Sequence, residues 1–145
     1  MKVDTIQMSD IGSRLRHMLA IAVQKAEESE FKFRHGAVLF CRNKVIESSP
    51  NKYRTVRWAW KPIRDKDPIE MGEQQSNNMH AEIGCMHNVD REIFSKAEIL
   101  VVRINQLGVL RNSKPCTMCQ DAMKLKGVRR CYYSTGMNTL GCMIL

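Results

Sequence analysis

Glu98-Ile-Leu-Val-Val-Arg-Ile104 sets the architecture before any other segment is read. Four successive aliphatics, Ile99 through Val102, make a strand with no polar face. Side chains alternate along a strand, so a sheet built on this one is covered on both sides. The rest of the chain supplies the covers. From Ser9 to about Glu28, Ile11, Leu15, Met18, Leu19, Ala22, Val23 and Ala26 recur at helical spacing, with Ser9 or Asp10 as the cap. His80 to about Asn88 reads as a second helix, and Cys116 to about Lys126 as a third, stopped by Gly127. Gly36–Cys41 and Lys44–Glu47 around the turn Arg42-Asn43 predict a β-hairpin, ended by Ser48-Ser49-Pro50-Asn51. Leu107–Ser113 reads as a turn region and Arg129–Ser134 as another strand. The tail from Gly136 to Leu145 ends in Cys-Met-Ile-Leu and is expected to pack on the core or on another subunit. Such alternation implies a sheet with helices packed on it.

The 145 residues suit one domain spanning 1–145. With 43% hydrophobic and 26% charged residues, a disordered chain, a collagen and a coiled coil are excluded. No apolar run of about 18 residues is present, so no membrane-spanning helix is expected. The start, MKVDTIQMSD, has no apolar stretch behind a basic one, so a secretory signal is not expected and a cytoplasmic location is. In that reducing compartment the six cysteines (Cys41, Cys85, Cys116, Cys119, Cys131 and Cys142) are expected as thiols or metal ligands. The formal net charge of +8 points to an anionic partner: a nucleotide, a nucleic acid or a phosphate.

Residues 52–79 form a long basic loop or insertion. Lys52, Arg54, Arg57, Lys61 and Arg64 all precede its first acid, Asp65. Tyr53, Trp58 and Trp60 are interleaved among them, and Pro62 and Pro68 argue against a continuous helix. Bases interleaved with aromatics suit a channel in which single-stranded bases stack, although tryptophans equally anchor a loop to a core.

Two short motifs carry chemistry: His80-Ala81-Glu82 and Pro115-Cys116-Thr117-Met118-Cys119. A Cys-x-x-Cys opening a helix brings two sulfurs together near the positive end of the helix dipole, where thiolates are favoured. With His80 the set is His-Cys-Cys, and three protein ligands leave an open tetrahedral position, the pattern of catalytic zinc. Zinc lowers the pKa of a bound water towards about 7. Glu82, two residues from His80, is placed to take the proton of such a water. A redox pair or a structural zinc knuckle remains open at this point. A knuckle needs a fourth ligand, for which Cys85 and His87 are the nearest candidates.

His-x-Glu followed by Pro-Cys-x-x-Cys is the signature of the zinc nucleobase deaminases. From Gly36 to Ser134 the chain resembles the cytidine and deoxycytidylate deaminase superfamily, nearest to the deoxycytidylate deaminases. The resemblance implies a three-layer α/β/α domain with a central mixed sheet of about five strands, and a homo-oligomer. It implies one Zn²⁺ per chain on His80, Cys116 and Cys119, with Glu82 as the catalytic proton shuttle. It implies contacts to the base from the backbone at Ala81, beside Pro115 of the second motif, and contact to the sugar from Asn51. Histidine as first ligand, with a long segment from Asn51 to His80, resembles the deoxycytidylate branch, which implies a nucleotide monophosphate held through Lys52, Tyr53 and Arg54. Two departures stand out. Lys114 occupies the place where tRNA adenosine deaminases often carry glutamate, and no glycine occurs from Ser48 to Tyr53. The readings that follow are deamination of a cytosine nucleotide, foremost dCMP to dUMP; deamination of cytosine or adenine in single-stranded DNA or RNA, tRNA included; and a zinc module without catalysis.

Overall fold

The computed structural model describes residues 2–52 and 79–145. Tyr53, Arg54, Arg57, Trp58 and Trp60 of the basic segment lie outside the described residues. The order is β1 (Lys2–Gln7), α1 (Ser13–Glu27), β2 (Arg34–Cys41), β3 (Lys44–Pro50), α2 (Ala81–Met86), β4 (Glu98–Ile104), β5 (Leu110–Arg111), α3 (Thr117–Lys126), β6 (Arg130–Ser134) and β7 (Thr139–Ile144). Short 3-10 turns cover Met8–Asp10 and Arg91–Lys96. One mixed sheet runs β1-β7-β6-β4-β2-β3, with β5 paired to β4. Among the described residues only the β4–β6 pairing is parallel, and α3 lies in the connection between those two strands.

The aliphatic run behaves as its composition requires. Ile99 and Val101 point to one face, packing with Ala81, Ile83 and Met86 of α2 and Met118, Ala122 and Met123 of α3. Leu100, Val102 and Ile104 point to the other, against Leu15, Met18, Ala22 and Ala26 of α1. The result is an α/β/α sandwich with β6 and β4 at its centre. Close approach is enforced by small residues. A methyl at Gly36 of β2 would collide with the backbone of α1 at Ala22 and Ala26. One at Gly84 of α2 would run into the Ser49 side chain of β3, so α2 lies directly on that strand.

The sheet has seven strands among the described residues, more than the expected five or so. The apolar tail is itself a strand: β7 sits between β6 and the edge strand β1, whose residues are mostly exposed. Lys2–Gln7 carries no strong apolar alternation, which is why pairing with β7, rather than its own pattern, defines it. The helix expected from Ser9 begins at Ser13. Its N-cap is Gly12, with no side-chain cap, because Met8–Asp10 is taken up in the preceding 3-10 turn. The hairpin's second strand continues through Ser48 and Ser49 to Pro50, since β2 stays in register beside it.

Candidate metal centre and its cavity

Two helix starts face one another across the end of β4. His80 is the N-cap of α2 and Cys116 the N-cap of α3, both with extended backbone. Cys119 lies one turn into α3. His80 Nδ1 is 3.2 Å from the Cys119 sulfur and 3.6 Å from that of Cys116. All three ligand atoms lie within 4.8 Å of one another. A tetrahedral zinc with Zn–N near 2.0–2.1 Å and Zn–S near 2.3 Å holds N and S about 3.6 Å apart. The spacing and the borderline-soft donor set therefore fit one zinc ion. Among the described residues no other His, Cys, Asp or Glu joins this group. Cys85, on the same helix as His80, is fully buried in the core, and burial pushes its thiol well above the ordinary range.

The local electrostatics suit metal ligation. Hydrogen bonding from the Cys119 thiol, with help from His80, draws the Cys116 pKa down to about 4 despite burial. Burial raises Cys119. Burial alone would lower His80, but the Cys116 sulfur and Glu82 outweigh it and its pKa is raised. Glu82, only 4% exposed, has its pKa raised, first of all by burial.

The segment carrying Cys116 is pinned by a buried hydroxyl pair. Ser113 Oγ donates to Val101 O at 2.9 Å and accepts from the Ser134 amide at 2.9 Å. Ser134 Oγ donates to Arg111 O at 2.6 Å. Two residues beyond Ser113, Pro115 O accepts from Gln120 Nε2 of α3 at 2.8 Å. On the other side, Lys52 and Met79 pair through two backbone hydrogen bonds of 2.9 and 2.6 Å. The chain thus leaves and re-enters the described structure at one point, beside His80.

His80, Glu82 and Cys116 line a cavity of about 330 Å³. Phe31, Phe33, Lys32, His35, Asn51 and Lys114 complete most of its wall. Glu82 is the single acid in it among the described residues. Of the residues read from the sequence, His80, Glu82, Cys116 and Asn51 share this cavity. Ala81 is buried in α2, Pro115 is buried behind Cys116, and Lys52 stands exposed at the pairing with Met79. Tyr53 and Arg54 lie outside the described residues.

Asn51 is more heavily engaged than a turn residue. Its Oδ1 accepts from Ser29 Oγ and from the His35 amide, and its Nδ2 donates to Phe33 O at 3.0 Å. The carboxamide therefore holds the Phe31–His35 wall in place. His35 is held mostly neutral: burial first, then His80 and Arg103, lower its pKa to about 4. Sequence reasoning passed over Phe31, Lys32, Phe33 and His35 as cavity residues. The only available signal was the cluster Phe31-Lys-Phe33 just before a strand, which has no periodic or motif meaning by itself.

The family model described as the cytidine and deoxycytidylate deaminase zinc-binding region matches residues 13–135. None of the curated proteins compared with the chain matches it.

Proposed function

Since the chain belongs to the cytidine and deoxycytidylate deaminase family, we propose that this zinc-dependent hydrolytic deaminase acts on a cytosine nucleotide, foremost dCMP, giving dUMP and ammonia. The observation that carries this reading is the placement of a buried Glu82, its pKa raised first of all by burial, beside His80 and Cys116 in a small cavity that also has Lys32 and Lys114 in its wall. A volume of about 330 Å³ suits one small ligand rather than an extended one. Phe31 and Phe33 offer apolar faces to a base, and Lys32 and Lys114 offer two cations to one phosphate.

His80, Cys116 and Cys119 would hold a zinc ion, which when bound would supply the Lewis-acid charge that makes water acidic near neutral pH. Glu82 takes the proton released by the attacking water and delivers it to ring nitrogen N3. The water oxygen bonds to C4; the carboxylate then takes the remaining proton from the new C4 hydroxyl and passes it to the exocyclic amino group, so that C4=O forms, the C4–N bond breaks and ammonia leaves. The Ala81 backbone supports the base, and Asn51 acts mainly by holding the wall that carries Phe33 and His35. The test is ammonia release from dCMP, CMP, dCTP, cytidine, deoxycytidine, adenosine, and single-stranded DNA and RNA oligomers, with Glu82→Ala as the blank. Turnover of dCMP with inert oligomers supports the reading; inert dCMP removes it.

A polynucleotide substrate is favoured by one feature. Phe33 is 56% exposed at the cavity wall, with the Arg103 guanidinium 5.1 Å and the Lys32 ammonium 5.9 Å from its ring centre. An aromatic ledge flanked by cations is the surface on which single-stranded bases stack. Turnover confined to the oligomers would select this second reading.

A further inference from the structure

The end of α1, the start of β2 and the end of β3 meet at one carboxamide. Helix α1 closes at its C-cap Glu28, and the next amide, that of Ser29, still donates to Ala26 O at 3.1 Å. Ser29 is thereby kept on the helix end, which packs closely on β2 because Gly36 puts no side chain between them. The Ser29 hydroxyl accepts from the Phe31 amide at 3.2 Å and donates to Asn51 Oδ1, just past β3. From β2, the His35 amide donates to the same Oδ1 at 3.1 Å. Asn51 Nδ2 donates to Phe33 O at 3.0 Å, and the Asn51 backbone amide to His35 O at 3.2 Å. Phe31, Phe33, His35 and Asn51 all line the zinc cavity; Ser29 stands behind them and does not.

A carboxamide oxygen has two lone pairs and its nitrogen two hydrogens. Both lone pairs of Oδ1 are taken, by Ser29 and by the His35 amide, and one Nδ2 hydrogen is taken by Phe33 O. The opposite flip would set Nδ2 against the His35 N–H and Oδ1 against the Phe33 carbonyl, two pairs of like groups, so the partners fix which atom is which. What Asn51 can offer the cavity it lines is therefore one amide hydrogen and no oxygen. The β2 backbone decides which way the group faces. Ser29 fills the remaining acceptor site and ties the carboxamide to the end of α1. Without that hydroxyl, Oδ1 regains a lone pair and the Phe31 amide loses this acceptor.

We propose that Ser29 is a positioning residue of the zinc cavity: acting through Asn51, it makes that side chain a hydrogen-bond donor only, aimed at an acceptor atom of the ligand, and steadies the Phe31–His35 wall. The kinetic consequence rests on the deaminase reading; the hydrogen-bond lock itself does not. The experiment uses the zinc-loaded full chain and compares Ser29→Thr, which keeps the hydroxyl, with Ser29→Val, which has the same shape without it. Asn51→Ala is made alone and combined with Ser29→Val, and circular dichroism and zinc content verify the fold of every variant. The first readout needs no ligand: amide hydrogen exchange at Phe31 and His35, followed by NMR. Ser29→Val should speed exchange at both by about threefold to tenfold over Ser29→Thr, the worth of one hydrogen bond. The second readout is turnover of dCMP. Ser29→Val should raise KM by about threefold to tenfold with kcat within about twofold, and Ser29→Thr should stay near the wild type in both. In the Asn51→Ala background Ser29→Val should change KM by less than about twofold, because the group through which it acts is gone. The proposal is overturned if Ser29→Thr and Ser29→Val exchange alike, if Ser29→Val leaves KM unchanged, or if its effect on KM persists in full without the Asn51 side chain. A wild type inert towards dCMP removes the deaminase reading instead, and the exchange rates then decide the lock alone.

Discussion

The two ends of the sheet each bury one glutamate, and the two are treated in opposite ways. Glu98, 9% exposed, is met by Arg14, Arg130 and the Tyr132 hydroxyl. Glu82, 4% exposed, has no Lys, Arg or His nitrogen within ion-pair distance among the described residues. Burying a carboxyl without an ion-pair partner is costly, and burial raises the Glu82 pKa. The paired glutamate belongs to the frame, and the other is the one we propose for proton transfer.

The sharpest way to break this contrast is to exchange the losses. Glu82→Gln should reduce turnover about 10²–10⁴-fold, the usual worth of a positioned proton-transfer group, with the zinc content per chain unchanged. Cys116→Ala should remove both zinc and turnover. Metal analysis beside ammonia release distinguishes the two, and full activity of Glu82→Gln would place Glu82 in the frame with Glu98. The reverse experiment is Glu98→Ala. Stranding two arginines that are each about one-third exposed should cost about 2–3 kcal/mol in urea unfolding, less than a fully buried pair. Turnover per folded molecule should stay near that of the wild type.

The two ends also separate by pH. His35 lies at the zinc end with a pKa lowered to about 4, while the unfolded chain titrates near 6.5. Between those values the unfolded state binds more protons, so stability is fully present above about pH 6.5 and is lost as the pH falls towards 4. The contribution is on the order of 3 kcal/mol. His35→Gln should flatten that part of the stability profile relative to the wild type; parallel profiles would show that His35 is not buried neutral. The smallest effect is expected from Ser113→Ala. Losing the Oγ that joins Val101 O to the Ser134 amide should cost about 1–2 kcal/mol. It should also weaken zinc retention against a chelator, because the segment that leads from β5 to Cys116 is loosened. Unchanged retention would mean that Gln120 and α3 alone hold Cys116.

The ligand set was legible because each part is local. His80 and Glu82 are two residues apart, Cys116 and Cys119 three, and helix geometry fixes what such neighbours do. The rest of the cavity was not legible. Phe33, His35 and Lys114 come from segments whose nearness depends on β2 and β4 pairing, and Asn51 joins them through hydrogen bonds to β2. The outer strands were hidden for a related reason: β1 is an exposed edge with little apolar alternation, and β7 carries a sheet role that a short tail does not announce.

By itself, then, the sequence determined the donor atoms of the metal centre, the helices that present them and a central strand covered on both faces. These follow from residue chemistry and from periods of 3.6 and 2, which act over a few residues. Only the tertiary structure decided which buried glutamate has ion-pair partners among the described residues and which does not. It also decided that cations as distant in sequence as Arg14, Arg42, Lys96 and Arg129 share one concavity. Charge compensation is a property of distance in space, and the sheet's register, not the order of residues, sets that distance.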